Sequence, residues 1–226
     1  MSFLYEERTS SSPYVDVVWQ TRDVSDGTYL ASADACWDMI FTVGPDGSRR
    51  ALLCGPASRP VEVPYVAGNL NVGVRFAPGA FFTHVPARTL CDRTVLLPMP
   101  DAGHFELAGA GWPFPGYGDV DDLADAFGRH GLLRLDEVVG AALDGGAPHL
   151  SARTVERHFT HATGLSPGHV RQITRARAAV ARLQQGRAIA DVAHDLGYAD
   201  QSHLTRDLKR LTGYTPGQSQ GRSEPV

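Results

Sequence analysis

At 226 residues the chain is long enough for two compact domains, and its 42% hydrophobic content is that of a folded globular protein, not of a disordered or fibrous one. No stretch approaches the length needed to span a bilayer, and the opening MSFLYEERTSSS has neither the basic start nor the apolar run of a secretory signal, so a cytoplasmic protein with no membrane partner is expected. The net charge of −4 is unevenly divided: His149 to Val226 holds 11 Lys+Arg against 6 Asp+Glu, a net of +5, which leaves −9 for Met1 to Pro148. Such asymmetry fits a basic nucleic-acid-binding domain joined to an acidic domain with another task.

From residue 3 to about 100 the chain reads as short β segments separated by Gly, Pro and Asp: YVDVVWQT (14–21), WDMIFTV (37–43), ALLCG (51–55), PVEVPYV (60–66) and NVGVRF (71–76). Alternation puts Trp37, Met39, Phe41 and Val43 on one face with Asp38 and Thr42 on the other, and it separates Val72, Val74 and Phe76 from Arg75. Close, regular strands predict an antiparallel, cupin-like β-barrel or sandwich. Trp37, Met39 and Phe41, with Arg75, are the residues expected to meet an effector if the barrel holds one.

A barrel also invites an enzyme reading, which the residues do not support. His84 stands alone in FFTHVP, His104 and Glu106 fall after the last expected strand, and no Ser, Cys or Asp sits in a recognisable nucleophile setting. Cys36, Cys54 and Cys91 are odd in number and widely spaced, which indicates buried thiols, with neither a disulfide framework nor a zinc site. No catalytic residue, metal or other cofactor is expected.

GAGWPFPGYG (109–118) is too rich in Gly and Pro for a regular element and reads as a connector, with Trp112 and Phe114 tucked against a domain. Asp119 is placed to cap a helix carrying Val120, Leu123, Ala124 and Phe127. Asp136 starts a second with Val138, Val139, Ala142 and Leu143. The organisation expected is a sensor or dimerisation domain over 1–118, linker helices over 119–148 and a DNA-binding domain over 149–220.

Ser151 is a good N-cap for ARTVERHFTHAT, with Val155 and Phe159 as its core pair and Gly164 as its stop. Ser166 and Pro167 then open a long helix with Val170, Ile173, Ala176, Val180 and Leu183 inside and arginines outside. In AIADVAHDLGYADQSHLTRDLKRLTGYT (188–215), Ile189, Val192, Ala193 and Leu196 form one short apolar stripe. Gly197 ends that helix, Asp200 caps the next, and Leu204, Leu208 and Leu211 form the second stripe. Two helices joined by a tight Gly-containing turn make a helix-turn-helix, whose second member lies in a DNA major groove. Its free face carries Gln201, Ser202, His203, Thr205, Arg206 and Lys209, which are donors and acceptors suited to base edges and phosphates.

The residues S-x-R-T-x-x-R-x-F-x-x-x-x-G-L-S-P (151–167), R-A-x-x-A (175–179) and I-A-D-V-A-x-D-L-G-Y-x-D-Q-S-H-L-T-R-x-L-K-R-L-T-G-Y-T-P (189–216) resemble the DNA-binding domain of the AraC family of bacterial transcription regulators. The strand-rich N-terminal part is similar, more loosely, to the β-barrel sensor domain of such regulators. The resemblance implies an α+β chain, an N-terminal antiparallel β-barrel followed by an all-α domain with two helix-turn-helix units on a rigid linker helix. It implies DNA contacts from Arg153, Glu156, Arg157 and His161 in the first unit and from Gln201, Ser202, His203, Arg206 and Lys209 in the second. Expected partners are double-stranded operator or promoter DNA, a small-molecule effector, a second subunit in a homodimer, and RNA polymerase if the protein activates. The family's first unit is preceded by a full supporting helix; here only DEVVGAALDGGAPH precedes Ser151. Either residues 136–144 act as a shortened support or the first unit is less well braced. The alternatives are a barrel enzyme with an accessory helical domain and a protein-interaction module.

Overall fold

The computed structural model describes residues 3–146 and 149–220. The N-terminal strands are β1 (Phe3–Arg8), β2 (Val15–Asp23), β3 (Gly27–Ala31), β4 (Asp38–Val43), β5 (Arg49–Cys54), β6 (Val61–Tyr65), β7 (Leu70–Phe76) and β8 (Ala80–Phe82). A one-turn helix α1 (Ala87–Leu90), strands β9 (Thr94–Leu97), β10 (His104–Leu107) and β11 (Ala110–Pro113), helix α2 (Val120–Arg129) and strand β12 (Leu133–Leu135) follow. The remainder is helical: α3 (Glu137–Leu143), α4 (Ala152–Thr163), α5 (Pro167–Gln184), α6 (Ile189–Asp195), α7 (Gln201–Thr212) and α8 (Pro216–Gln220).

All strand pairs are antiparallel. Six strands form one sheet in the order β1-β2-β7-β4-β5-β9, and β3-β6, β8-β12 and β10-β11 are two-stranded pieces. The ladder is therefore not a closed ring, since β1 and β9 are its edges. Closure is completed by side chains: Phe41 of β4 meets Phe105 of β10 and Phe114 at ring centroid distances of 5.4 Å, and Phe82 of β8 meets Trp37 and Phe76 edge-on.

Two corrections concern the middle of the chain. The segment expected to be a connector contains β11, paired with β10 through the two-residue turn Ala108–Gly109, and Trp112 donates its ring N–H to the Leu107 carbonyl. Helix α2 is not a linker. Val120, Leu123, Ala124 and Phe127 are buried in the same core as the sheet, and the Asp119 carboxylate accepts from the Gly116 amide instead of capping the helix. Helix α3 belongs to the other core, where Val139 is packed with Phe159, Val170 and Ile173. The change of core thus falls between β12 and α3.

The C-terminal core is built from the expected stripes: Phe159 on α4, Val170, Ile173, Ala176, Val180 and Leu183 on α5, Val192 and Ala193 on α6, and Leu204, Leu208 and Leu211 on α7 are all buried. Ser151, Ser166 and Asp200 accept from the third amide on, at Thr154, His169 and His203. The two long caps repeat. Thr163 and Thr212 each donate to the carbonyl four residues back and accept the amide two residues ahead, and a glycine at positive φ and a Ser or Thr before proline follow in both.

Gly164 has a second constraint beyond its φ of 72°: a Cβ there would lie 2.9 Å from the Arg88 amide nitrogen. Gly197 shares the left-handed conformation at 68° but has nothing within 4 Å of that position. Gly197→Ala should therefore cost only the backbone strain, about 1 kcal/mol, whereas Gly164→Ala should cost about 2 kcal/mol or more by also prising α4 from α1. Urea denaturation of the two variants reads the difference, and equal costs would show that the α1 contact contributes nothing.

Candidate nucleic-acid interface

Helix α7 is fixed before it offers anything to a partner. Its buried face holds Asp207 as well as Leu204, Leu208 and Leu211, and a carboxylate in that i, i+3, i+4, i+7 set needs cations. Arg210 reaches it at 2.9 Å and Arg175, from α5, at 3.2 Å, with the His203 ring 3.8 Å away. Burial pushes the Asp207 carboxyl up, but the hydrogen bonds and charges of Arg210, Arg175 and His203 bring it below its ordinary value. The Arg175 guanidinium also lies 4.2 Å from the ring centroid of Tyr198, in the turn between α6 and α7. One carboxylate thereby ties α5 and α7 together. Sequence reading missed it, although an Asp inside a leucine stripe was the available signal.

The opposite face of α7 leaves Gln201, Ser202, Arg206 and Lys209 exposed. His203, expected beside them, is half-buried: its Nδ1 accepts from the Ala199 amide and its ring lies edge-on to Tyr198 at 5.2 Å. It holds the turn in place. On α4, Arg153, Glu156 and Arg157 are exposed along one side. His161 is turned toward the N-terminal domain, with its ring centroid 4.6 Å from that of Phe81. His158 pairs with Asp136 at 2.7 Å, and Asp136 also caps α3 by accepting from the Val138 and Val139 amides. Helix α3 is thus the shortened support, pinned to α4 through one carboxylate.

The residues expected to meet an effector are not brought together. Trp37 and Met39 are enclosed in the core, with the Trp37 ring N–H donating to the Ala162 carbonyl at 3.1 Å. Arg75 is buried between Asp34 and Asp38, at 3.4 and 3.5 Å. Burial lowers its pKa, and the two carboxylates more than restore it, so it stays a cation. Phe41 alone reaches a large cavity, of about 580 Å³, on the inner face of the six-stranded sheet. There Arg22, Leu70, Val43 and Arg49 lie in one cross-strand row, with Val72 and Phe41 in the next and Phe114 as a wall. Among the described residues, no group of three or more His, Cys, Asp or Glu is arranged to hold a metal, and no helix is long and apolar enough to cross a membrane.

Comparison with known proteins gives two family matches, a helix-turn-helix domain over residues 147–222 and a domain of unknown function (DUF6597) over residues 10–96. The HTH-type transcriptional regulator RipA of Corynebacterium glutamicum is 40% identical over 67 residues, which are 30% of this chain and 20% of that protein. The chain thus spans about a fifth of that relative's length. Among solved structures, ToxT from Vibrio cholerae superposes with a TM-score of 0.42 at 10% identity, covering 96% of this chain and 97% of that one. ToxT from Vibrio cholerae O395 gives 0.44 at 9% identity, covering 95% of each. The matched helix-turn-helix segment runs from α4 through α8 and so contains α4, the α6–α7 pair and the α5 helix that joins them.

Proposed function

We propose that the protein is a sequence-specific, DNA-binding transcription regulator in the cytoplasm, whose N-terminal domain takes a small-molecule effector. The observation that carries the reading is the free face of α7. Four polar side chains, Gln201, Ser202, Arg206 and Lys209, project from a helix capped by Asp200 and immobilised by Asp207, in a segment of net charge +5. Rigid presentation of such groups is what direct readout of base edges requires, and the arginines supply the phosphate attraction. Arg153, Glu156 and Arg157 are the corresponding set on α4, with His161 and His203 positioning the two helices from their margins.

The effector site of this reading is the cavity on the sheet's inner face. Its volume of about 580 Å³ is that of a small-molecule pocket, and its apolar floor, with Arg22 and Arg49 at the two ends of one cross-strand row, suits a ligand with an apolar body. The reading includes a homodimer, and RNA polymerase as a partner if the regulator activates.

Binding of the purified protein to its own upstream DNA, against an unrelated duplex and across several salt concentrations, tests the reading. Affinity for the upstream DNA should exceed that for the control and fall steeply as salt rises. Equal, salt-insensitive binding of both duplexes would sink it. Arg206→Ala should lose about 1–3 kcal/mol of binding and relax preference at one base pair; unchanged selectivity across operator variants would remove Arg206 from the readout.

Asp207→Asn should behave differently, because Asp207 faces away from the DNA. It should lower stability by about 1–3 kcal/mol and weaken binding to all operators alike. The depressed carboxyl of Asp207 also sets a pH direction. Its contribution is complete above the ordinary carboxylate pKa of about 3.9 and is lost as pH falls through the lower folded value. In acid unfolding followed by circular dichroism, the Asn variant should show a smaller loss of stability below about pH 4 than the parent.

A further inference from the structure

The cavity on the sheet's inner face has a cation at each end and a hydrocarbon middle. Its floor is the cross-strand row Arg22 on β2, Leu70 on β7, Val43 on β4 and Arg49 on β5, with Val72 and Phe41 in the row beside it. Phe114 and Tyr117 line it from the segment that follows β11. Leu70 is 41% exposed there, so the middle of the floor is uncovered apolar surface. Both arginines are exposed at the rim.

Neither cation is neutralised from within the protein. Among the described residues, no carboxylate forms an ion pair with Arg22 or Arg49. Arg49 gives one N–H to the Ala102 carbonyl at 2.7 Å and lies 4.9 Å from the Phe114 ring centroid, which holds the guanidinium at the rim and leaves its charge unmatched. Glu6 is the one carboxylate in the lining, and its oxygen accepts from the Gln20 amide at 2.7 Å. The Tyr117 hydroxyl is buried with no hydrogen-bond partner, and Arg8 of β1 binds the Tyr117 carbonyl, so this unspent donor lies toward the Arg22 side. Three strand spacings of about 4.8 Å put the two arginine Cα atoms at most about 14 Å apart, and side chains on one face stand roughly parallel. One charge-assisted contact of about 2.8 Å at each end leaves about 8 Å, the extended length of a saturated chain of about seven or eight carbons.

We propose that this cavity takes an elongated dianion, of the charge spacing of an α,ω-dicarboxylate of about eight carbons, with one carboxylate on Arg22, the other on Arg49 and its hydrocarbon on Leu70, Val43 and Phe41. The assignment rests on the reading of this cavity as the effector site and names the effector's chemical class. A monoanion with the same body makes one of the two charged contacts, and a neutral molecule makes neither. A diamine meets two like charges and finds only the Glu6 carboxylate, already bonded to Gln20. The cavity thus selects by charge at both ends and by the length between them.

Isothermal titration of the full chain at fixed ionic strength tests it with suberate, with octanoate and 1,8-octanediol as its monoanionic and neutral counterparts, and with succinate, which is too short to reach both arginines. Suberate should bind one-to-one and about fivefold or more tightly than each of the other three, the upper range for one exposed ion pair. Arg22→Gln and Arg49→Gln should each bring suberate down to the affinity of octanoate for the parent; the first, at an exposed position, carries the test if the second shifts Phe114. Glu6→Gln removes the one like charge and should bind suberate at least as tightly as the parent does. Equal binding of suberate, octanoate and octanediol, unchanged in the arginine variants, would overturn the dianion and leave the cavity as an effector site for another molecule. No binding of suberate by the parent, or a loss in Glu6→Gln as large as in the arginine variants, would overturn it too. Suberate binding that needs both arginines but leaves the affinity for upstream DNA unchanged would keep this site and remove its reading as an effector site.

Discussion

A guanidinium buried beneath a sheet has to be neutralised where it sits, and the way Arg75 is neutralised fixes how the two domains meet. Asp38, its cross-strand neighbour on β4, supplies one carboxylate, and Asp34 supplies the other from the turn before that strand. Burial and the closeness of Asp34 push the Asp38 carboxyl well above its usual range, against the pull of Arg75. Asp34 is thereby held under the sheet, and its remaining oxygen fixes the backbone at Cys36 and Ala57. The residue beside it, Ala33, donates its amide to the carbonyl of Leu211 at 2.8 Å. The C-terminal end of α7 is therefore registered, through one turn of chain, to Arg75 in the N-terminal domain.

The other contacts across the junction fall where the repeated Thr-Gly turns lie. At the first, Trp37 donates to Ala162 and Gly164 lies against α1. At the second, Leu30 packs on Gly213 and its carbonyl accepts from the Tyr214 hydroxyl. Between them, the His169 ring pairs with the Ser58 carbonyl at 3.0 Å. The N-terminal domain thus holds the C-terminal ends of α4 and α7 and the start of α5. An 18-residue α5 is about 27 Å long, of the same order as the roughly 34 Å between successive major-groove faces. A domain that grips α4 and α7, on either side of that spacer, is in a position to adjust their relative angle.

What the sequence made legible was local. Caps at Ser151, Ser166 and Asp200, stops at Gly164 and Gly213, and the leucine and valine stripes of α5 and α7 depend on neighbours a few residues apart, and each stands as read. The strand segments of β2, β4, β5, β6 and β7 were legible for the same reason, through alternation. Pairing was not. Nothing local announces that β12 adds to β8, or that a Gly-rich stretch will be held extended because Trp112 and Phe105 reach a core from opposite strands. Helix α2 showed its apolar stripe plainly, but a stripe does not say which core it faces.

The residues read as effector contacts show the same limit in the other direction. Alternation along β4 correctly set Trp37, Met39 and Phe41 on the inner face, yet an inner face is lining or core according to what lies over it. Trp37 is covered by Phe82 and the end of α4, Met39 is enclosed in the N-terminal core, and only Phe41 reaches a cavity. Arg75 on the opposite face looked like a ligand-binding charge because its neutralising partner Asp34 lies about forty residues away along the chain. A single buried charge in a strand carries two readings, ligand contact and internal brace, and the partner that separates them is supplied by topology. Here the brace is also what joins the domains, so replacing it would change how they meet before it changed any ligand contact.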